Sequence, residues 1–555
     1  MQPYVGARGP TSAEIAIVGE APGADEETLR KPFVGAAGRE LEKMAHEAGL
    51  PIGSCFITNV FRHRPRNNDI AEFLQNKPRL GFREVRGKWV REDVAEHLDH
   101  LDREMLALKP RVIVAAGNTS LWAIAGLEGI SRWRGSMLRI GETNVLPIIH
   151  PAAILRSWPS RFDTVHDLRR THIPGPWDKD WNFEVAQDLH STLARLNHII
   201  ESRAEVSVDI ETSRKTILCI GIAWSDRDAM TIPFDGRWEL AEEGAIVRKL
   251  LEVLASNPVI GQNFLYDAFM MYVWWGRLVV PSHDTMICQN VLMPDRPKAL
   301  DYQASIYCKF YRYWKDDVKE WSTSRVDYDS LWKYNSMDCC YTWEVAQVQK
   351  RLLSKENQTE QFRFQMSMFR PTLKAMTRGV RLDMGAVRAS GAELDRMYQE
   401  RLNRLEYILG EPIAPHNPHQ LKKMLYETLS RSEGRYKLLS IPVILNRKTD
   451  RPTLDDQALE KIGLSEPLLS RPISIIRECR TLKVLRSTFI DVAGPMGRFY
   501  CGLNPAGTRT FRYSSSKNPF GWGTNGQNIP KREKDAAEFD KSLPNIRAAF
   551  LADPG

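Results

Sequence analysis

The sequence of 555 residues contains few cysteines and no long apolar run. Its eight cysteines are scattered and form no Cys-x-x-Cys pair, which argues against a zinc ribbon and against a secreted disulfide scaffold. No apolar segment approaches the ~20 residues that a membrane helix requires. The N-terminus lacks the charged-then-apolar layout of a signal peptide, and no internal repeat or low-complexity tract is present. We therefore expect a soluble, cytoplasmic protein.

Length and charge indicate the number of domains and the kind of partner to expect. A chain of 555 residues is expected to form several domains, since one domain usually takes roughly 100–200 residues. Lys and Arg together number 77 and Asp and Glu 69, which gives a formal charge of +8. This modest positive excess is compatible with a polyanionic partner such as nucleic acid but does not require one.

Residues 206–212, Val-Ser-Val-Asp-Ile-Glu-Thr, alternate apolar and polar side chains, which is typical of a half-buried strand. Asp209 and Glu211 then project from the same face. Two neighbouring carboxylates repel each other unless a cation lies between them, and hard divalent ions prefer oxygen ligands. By itself, the stretch fits an ordinary solvent-facing strand equally well.

The sequence that follows favours the metal site. Apolar runs at 217–224 and 229–234 predict two further strands, and residues 241–254 predict a helix. A short strand at 259–263 leads directly to Asp267, at a strand-to-helix junction. Tyr334 and Asp338 are four residues apart, so they share a face if their segment is helical.

These acidic motifs, in this order, resemble the ribonuclease-H-like proofreading exonucleases of the four-acid type with a tyrosine. The resemblance implies a two-metal mechanism, with Mg²⁺ or Mn²⁺, that removes nucleotides from DNA 3′ ends. Asp209, Glu211 and Asp338 would hold the first ion. Asp209 would bridge to a second ion supported by Asp267, and the Tyr334 hydroxyl would orient the attacking water. Residues 283–285, His-Asp-Thr, are interpreted as structural.

Residues 1–175 alternate predicted strands and helices, which indicates a parallel sheet with ligand groups at the strand ends. A generic nucleotide-binding domain would fit this pattern. Four short motifs are more specific: Gly-Glu-Ala-Pro-Gly at 19–23, Pro-Phe-Val-Gly at 32–35, Ile-Thr-Asn-Val at 57–60 and His-Pro-Ala at 150–152.

Together these motifs resemble the uracil-DNA glycosylase superfamily, nearest to its iron–sulfur branch. Such enzymes flip a base out of the duplex into a pocket. The resemblance implies that Phe33 stacks on the base, Asn59 reads its edge, His150 stabilises the oxyanion and Glu20 positions the water. Leu155 or Arg156 lies where the family inserts a loop into the groove.

The sequence departs from that branch at its cluster ligands. No counterpart of the early cysteine pair precedes Cys55, and the later positions fall at His63 and near His97. Because a [4Fe–4S] cluster normally requires cysteine thiolates, we expect no iron–sulfur cluster. The domain could retain uracil excision or serve as a DNA-binding appendage.

The remaining segments complete the predicted domain order. A linker is expected at 176–195, the exonuclease at 196–355, and long amphipathic helices such as 361–377 and 384–409 thereafter. Residues 356–500 resemble the thumb, and 501–555 the start of the palm, of family A (polymerase I-type) DNA polymerases. The resemblance implies that Arg512, Gln527 and Asn528 contact the primer–template.

The overall expectation is a multidomain α/β protein: a glycosylase-like parallel-sheet domain, a ribonuclease-H-like exonuclease, and a helical thumb with the beginning of a palm. In family A the polymerase aspartates come shortly after the motifs around 545–550, and the sequence ends at Gly555. We therefore expect part of a replicative polymerase, by analogy from a bacteriophage, completed by a second polypeptide with the remaining palm and fingers. The alternative is a free-standing enzyme that excises uracil and trims DNA 3′ ends.

Overall fold

The computed structural model describes residues 3–318, 327–430, 432–433, 436–437, 439–446, 449, 451–530 and 538–554. The chain divides into two compact units. The first consists of Met1–Phe264 and Pro281–Met366, and the second of Leu265–Val280 and Ser367–Gly555. Both predicted α/β regions fall largely in the first unit.

The N-terminal region has a five-stranded sheet in the order β2-β1-β6-β8-β7. All its neighbouring strands are parallel except β7 with β8, which confirms the predicted parallel sheet. A small antiparallel sheet has the order β3-β5-β4. The strands are β1 (Ile15–Gly19), β2 (Phe56–Asn59), β3 (Leu74–Gln75), β4 (Phe82–Val85), β5 (Lys88–Arg91), β6 (Val112–Ala116), β7 (Leu138–Ile140) and β8 (Thr143–Ile148). The helices are α1 (Ala24–Leu29), α2 (Ala36–Glu47), α3 (Glu92–Leu108), α4 (Asn118–Ala125), α5 (Ile130–Trp133), α6 (Pro151–Arg156) and α7 (Ser160–Arg169).

The larger sheet is covered on both faces, which explains its continuous apolar strands. Alternate residues of β1 enter different cores: Ala16 and Val18 pack in one cluster, and Ile17 packs in another. This alternation follows from the two-residue period of a strand.

The exonuclease-like region contains a six-stranded sheet in the order β14-β13-β10-β11-β12-β9. Strands β10, β11 and β12 correspond to the three strands predicted at 206–212, 217–224 and 229–234, and they pair as an antiparallel meander. The strands are β9 (Asn182–Val185), β10 (Val206–Ser213), β11 (Thr216–Ala223), β12 (Asp228–Pro233), β13 (Val259–Gly261) and β14 (His283–Asp284). The helices are α8 (Leu189–Ser202), α9 (Leu240–Ser256), α10 (Leu265–Trp275), α11 (Thr285–Leu292), α12 (Leu300–Tyr307) and α13 (Tyr328–Lys355), of which α10 belongs to the second unit.

Residues 176–195, expected to be a linker, include β9 and the beginning of α8. Strand β9 pairs in parallel with β12 at the edge of the sheet. The two regions of the first unit also share one buried cluster, which joins Trp122 and Trp133 to Trp314 and Tyr341.

The second unit is mainly helical, as the amphipathic stretches predict. Helix α16 matches the predicted stretch 384–409, whereas the stretch 361–377 is divided between α14 and α15. The helices are α14 (Thr359–Ser367, which spans the unit boundary), α15 (Phe369–Arg378), α16 (Met384–Leu409), α17 (Pro418–Lys422), α18 (Asp456–Ser465), α19 (Ser470–Leu485) and α20 (Glu538–Ser542). The strands are β15 (Val380–Leu382), β16 (Ser432–Glu433), β17 (Tyr436–Lys437), β18 (Arg498–Phe499), β19 (Gly502–Asn504), β20 (Ser514–Ser516) and β21 (Phe550–Leu551). In the part of the chain that the structure describes, no helix has both the length and the apolar character needed to cross a membrane.

Candidate active sites

Three carboxylates converge where β10 meets α13. Asp209 and Glu211 lie on β10 and Asp338 on α13, and their oxygen atoms lie within 4.8 Å of one another. The sequence predicts a shared strand face for Asp209 and Glu211 and a shared helix face for Tyr334 and Asp338. These two faces meet at the acidic cluster. A set of carboxylate oxygens at this spacing fits a hard divalent cation such as Mg²⁺ or Mn²⁺.

A close approach of α13 to the sheet makes this convergence possible. Gly221 on β11 is the register partner of Asp209. A Cβ at Gly221 would lie 2.4 Å from Asn335 Oδ1 and 2.7 Å from Cys339 Sγ. Asn335 Nδ2 in turn donates to Asp209 Oδ2 at 2.9 Å. Neither Gly221 nor Asn335 was identified from the sequence, because their importance depends on which strand and helix pack together.

Asp338 is held by two residues from the chain before α13. Trp314 Nε1 donates to Asp338 Oδ1 at 2.5 Å, and Lys315 Nζ donates to Oδ2 at 2.7 Å. Lys315 Nζ also donates to the Tyr334 hydroxyl at 2.6 Å. Neither Trp314 nor Lys315 belongs to a motif that could be identified from the sequence. The only signal available was the dense aromatic and basic composition of residues 310–315.

The site keeps Lys315 charged and Tyr334 protonated. Burial disfavours the charged form of Lys315, but the nearby Asp338 carboxylate outweighs it and raises the pKa of the ammonium. Burial, followed by the negative charge of Asp338, raises the pKa of Tyr334. The phenol accepts a hydrogen bond from Lys315, so its own proton is available for another acceptor.

Asp267, the fourth predicted acid, lies in the first turn of α10, as its strand-to-helix position predicts. It is only 4% exposed. Helix α10 belongs to the second unit, and Asp267 is not one of the three carboxylates that cluster in the first. Its role as a metal ligand stays a prediction. Asp284, interpreted as structural, caps α11 by accepting from the backbone N–H groups of Met286 and Ile287.

A second candidate site lies at the carboxyl ends of the parallel strands in the N-terminal region. Its cavity of about 390 Å³ is lined by several predicted residues that follow different strands. Parallel strands end at one sheet edge, so side chains placed just after each strand converge there. The cavity includes Glu20 after β1, Asn59 at the end of β2 and His150 after β8, together with Phe33 and Arg156. Leu155, the alternative loop residue, is 49% exposed.

Backbone geometry brings the aromatic and amide groups of this cavity together. Phe33 adopts a positive φ of 53°, and its ring centroid lies 5.8 Å from that of His150. A Cβ at Gly19 would lie 2.4 Å from Asn59 Oδ1 and 2.6 Å from the Phe33 ring. The glycine that ends β1 therefore leaves the space that Phe33 and Asn59 occupy.

His150 is held as a neutral imidazole. Its Nδ1 accepts from the backbone N–H of Ala152 at 3.2 Å, which leaves the proton on Nε2. Burial, and then the positive charge of Arg156, lower the pKa of His150 to about 4. Glu20 accepts a hydrogen bond from the Thr119 hydroxyl. The cavity thus offers a carboxylate, an amide and a neutral imidazole donor.

The residues at the expected iron–sulfur positions do not fit a cluster. Cys55 is the sole cysteine in residues 1–175. Its thiol faces the Pro51 carbonyl at 3.7 Å, and burial raises its pKa to about 11. The rings of His63 and His97 pack at 4.9 Å, and His97 Nδ1 accepts from the Arg62 N–H. One buried thiol and two packed imidazoles cannot replace four thiolates.

The predicted primer–template residues lie in the second unit. The Gln527 side chain donates to the Tyr513 carbonyl at 2.8 Å. Asn528 lies in the same 3₁₀ turn, Gly526–Asn528. The Arg512 N–H donates to the Thr508 hydroxyl at 2.9 Å. The contacts of these three residues with DNA stay predictions.

Comparisons with known proteins match the two regions that contain these candidate sites. The profile of the uracil DNA glycosylase superfamily matches residues 7–170, and that of the DNA polymerase A-type 3′-5′ exonuclease matches residues 185–354. A type-4 uracil-DNA glycosylase of Archaeoglobus fulgidus is 36% identical over 27% of this chain and 72% of its own length. DNA polymerase I of Borreliella burgdorferi is 23% identical over 64% of this chain and 38% of its own length. A solved structure, the POL domain of Pol1 from M. smegmatis in complex with DNA primer-template and dNTP, has a TM-score of 0.45 at 18% identity, over 67% of this chain and 59% of that one.

The chain therefore belongs to the uracil DNA glycosylase superfamily through its N-terminal domain. It also carries a 3′-5′ exonuclease domain of the DNA polymerase A type and is homologous to DNA polymerase I. It spans 38% of the Borreliella burgdorferi polymerase. Exonuclease domains of this family use divalent metal ions, in agreement with the acidic cluster.

Proposed function

We propose that this chain provides the proofreading activity and primer–template binding of a family A replicative DNA polymerase. The observation that carries the proposal is the convergence of Asp209, Glu211 and Asp338, with Tyr334 four residues before Asp338. These carboxylates, with Asp267, would hold two Mg²⁺ or Mn²⁺ ions. When bound, such ions supply a nucleophilic water and stabilise the charge that develops on the leaving oxygen.

The protein residues would prepare this site before DNA arrives. Asn335 fixes the orientation of Asp209, and Trp314 and Lys315 fix both oxygens of Asp338. Tyr334 would use its free phenolic proton to hold the attacking water, since its oxygen already accepts from Lys315. Each of these contacts preorganises a group that would otherwise have to reorient during the reaction.

The nuclease is tested on single-stranded DNA labelled at its 5′ end, with Mg²⁺ or Mn²⁺. The chain should shorten the DNA from its 3′ end, and Asp209→Asn should abolish shortening because it replaces a ligand charge with a neutral amide. Asp99→Asn is a matched control, because Asp99 is an exposed member of a surface ion pair with Arg83. Undiminished degradation by Asp209→Asn would refute the site.

Uracil excision is the second candidate function, favoured by the cavity that joins Glu20, Phe33, Asn59 and His150. A flipped uracil would stack on Phe33 while the Asn59 amide pairs with its edge, and the neutral His150 would donate from Nε2 to the base carbonyl. No step requires an iron–sulfur cluster. This activity would also suit the alternative of a free-standing enzyme that excises uracil and trims 3′ ends.

Excision is tested by alkaline cleavage of a uracil-containing oligonucleotide after incubation with the chain. Asn59→Ala should lose selectivity for uracil because the amide both donates to and accepts from the base edge. Asn403→Ala serves as the control, since Asn403 is a helix residue whose side chain accepts from Gln399. An unchanged preference of Asn59→Ala for the uracil oligonucleotide over the same oligonucleotide with cytosine would contradict the assignment.

Arg512, Gln527 and Asn528 are proposed to bind primer–template DNA, so binding should weaken steeply as salt rises. The second polypeptide that would complete the polymerase, and the bacteriophage setting, stay predictions. Primer extension by a mixture of this chain and a polypeptide that carries the remaining palm and fingers would support the prediction of a second polypeptide. Nucleotide addition by the Asp209→Asn chain alone would contradict that prediction.

A further inference from the structure

Residues 308–318, here named the bridging segment, follow α12 and contact the glycosylase domain through backbone groups. The Met137 N–H donates to the Tyr311 carbonyl at 2.6 Å. The Tyr313 N–H donates to Ser136 Oγ at 3.0 Å. Both bonds involve backbone groups of the segment, and these groups are two residues apart. The bonds therefore hold the backbone of the segment against the glycosylase domain.

Side chains of the glycosylase domain reinforce this attachment. The Trp133 and Tyr313 rings pack at 5.3 Å, and Arg132 forms an ion pair with Asp316. Buried Arg170 donates to the carbonyls of Cys308 and Lys309 at 3.1 and 3.2 Å. Because a buried guanidinium needs its hydrogen bonds, it holds the beginning of the segment in place.

The same segment reaches the acidic cluster of the exonuclease. Trp314 is fully buried, stacks on Tyr341 at 4.2 Å and donates to Asp338 Oδ1. Lys315 donates to Asp338 Oδ2 and to the Tyr334 hydroxyl. Both oxygens of one candidate metal ligand are therefore bonded to consecutive residues of a segment that the neighbouring domain holds.

We propose that the glycosylase domain is a structural part of the exonuclease site, because through the bridging segment it holds Trp314 and Lys315 against Asp338 and Tyr334. Trp314 and Lys315 are positioning residues: they set the orientation of a metal ligand and of the tyrosine. The proposal rests on the exonuclease function proposed above. It predicts that 3′-end trimming of DNA without uracil depends on residues of the glycosylase domain.

The first test loosens the attachment without touching the acidic cluster. The full chain with Arg132→Ala and Ser136→Ala is compared with Arg83→Ala and Ser54→Ala, which remove an exposed arginine and serine elsewhere in the same domain. Three quantities are measured: hydrogen exchange of the bridging segment in metal-free protein, Mn²⁺ binding by calorimetry, and the single-turnover rate of 3′-end trimming.

We expect faster exchange in the bridging segment, and about 10- to 100-fold losses in Mn²⁺ affinity and trimming rate, the range typical when groups that orient metal ligands are removed. The control should match the unmodified chain in all three. If the double variant fails to fold by circular dichroism, Ser136→Ala alone is used, because it removes one hydrogen bond and little volume.

The second test addresses Lys315 directly. Lys315→Met should lower the trimming rate about 10- to 100-fold while the KM for single-stranded DNA changes little, because the lysine orients Asp338 and Tyr334. Lys315→Arg should recover part of the rate, since it restores a charged donor. Lys249→Met is the control, because Lys249 forms a surface ion pair with Glu252.

The outcomes separate this inference from the proposed nuclease function. Unchanged exchange in the double variant, or faster exchange with unchanged Mn²⁺ binding and trimming, refutes the coupling. If the unmodified chain does not trim DNA, the nuclease proposal fails, and the coupling between the domains is then judged from Mn²⁺ binding alone. Weaker Mn²⁺ binding in the double variant supports the coupling, and equal binding refutes it. A Lys315→Met effect on KM alone, or no recovery with arginine, refutes the positioning role.

Discussion

Asp167→Ala should strongly destabilise the first unit, because it removes the partner of a buried charge. Arg134 is 5% exposed and Asp167 is fully buried. The Arg134 guanidinium donates two hydrogen bonds to the Asp167 carboxylate, one of them at 2.8 Å. A third donor, Nη1, reaches Ser305 Oγ at 3.0 Å in the exonuclease domain, so this pair lies where the two domains join.

The size of the effect follows from what remains after the substitution. Breaking a buried ion pair by removing one partner costs about 3–5 kcal/mol, because the other charge stays buried without compensation. The remaining bond to Ser305 involves a charged donor and contributes about 1.5–3 kcal/mol, which does not replace the lost carboxylate. An unfolding entropy of about 2.1 cal/mol/K per residue over the roughly 350 residues of the first unit gives about 1.4 °C per kcal/mol, so the midpoint of thermal unfolding should fall by about 4–7 °C.

The assay is thermal and urea unfolding of the full chain followed by circular dichroism. Asp99→Ala is the matched control, since Asp99 pairs with Arg83 at 3.7 Å on the surface and such pairs contribute about 0–1 kcal/mol. The double change Arg134→Met with Asp167→Leu should recover most of the loss, because it removes both charges and fills the space.

Two results would refute this reasoning. If Asp167→Ala lowers the free energy of unfolding by less than about 1 kcal/mol, the buried pair contributes no more than a solvated surface pair does. A double variant as unstable as the single one would mean that lost packing, and not an uncompensated charge, causes the instability.

Two further predictions concern the exonuclease fold and acid stability. Gly221→Ala should displace α13 and lower the trimming rate, because the added Cβ would lie 2.4 Å from Asn335 Oδ1. As at other overpacked sites, the free energy of unfolding should fall by about 1–3 kcal/mol. Gly244→Ala, on helix α9, is the control, and equal trimming rates for the two variants would contradict the prediction. Burial lowers the pKa of His150 and of His283 from 6.5 to about 4, so on acidification the unfolded chain binds these protons first. Stability should be intact above pH 6.5 and fall toward pH 4, by at most ~3 kcal/mol per histidine; urea midpoints that do not decrease between pH 7.5 and 5 would oppose this.

The local geometry of both sites could be predicted from the sequence because periodicity determines it. The alternation around Asp209 and Glu211 places them on one strand face, and the four-residue spacing of Tyr334 and Asp338 places them on one helix face. Glu20 and Asn59 each lie at the end of a parallel strand, where a general rule brings side chains together.

Contacts between distant segments could not be predicted in this way. Gly221 is one of 35 glycines, and nothing in its neighbourhood shows that α13 crosses β11 at that point. Strand β9 has only four residues and follows a stretch rich in Pro and Gly. The sequence around it therefore has no local pattern that predicts its pairing with β12. Its place depends on an open sheet edge that only the folded domain provides.

Trp314 and Lys315 show the same limit at the active site. They lie on an irregular segment without helical or strand periodicity, and the residues that fix this segment, such as Ser136 and Arg170, are more than 130 positions away in the sequence. An exonuclease next to a different N-terminal domain would have no Ser136 hydroxyl for Tyr313 and no Arg170 for the carbonyl of Cys308. The acidic motifs define the nuclease chemistry by themselves, whereas the groups that orient Asp338 depend on which domain is its neighbour. Sequence motifs can therefore identify the candidate ligands without identifying what holds them.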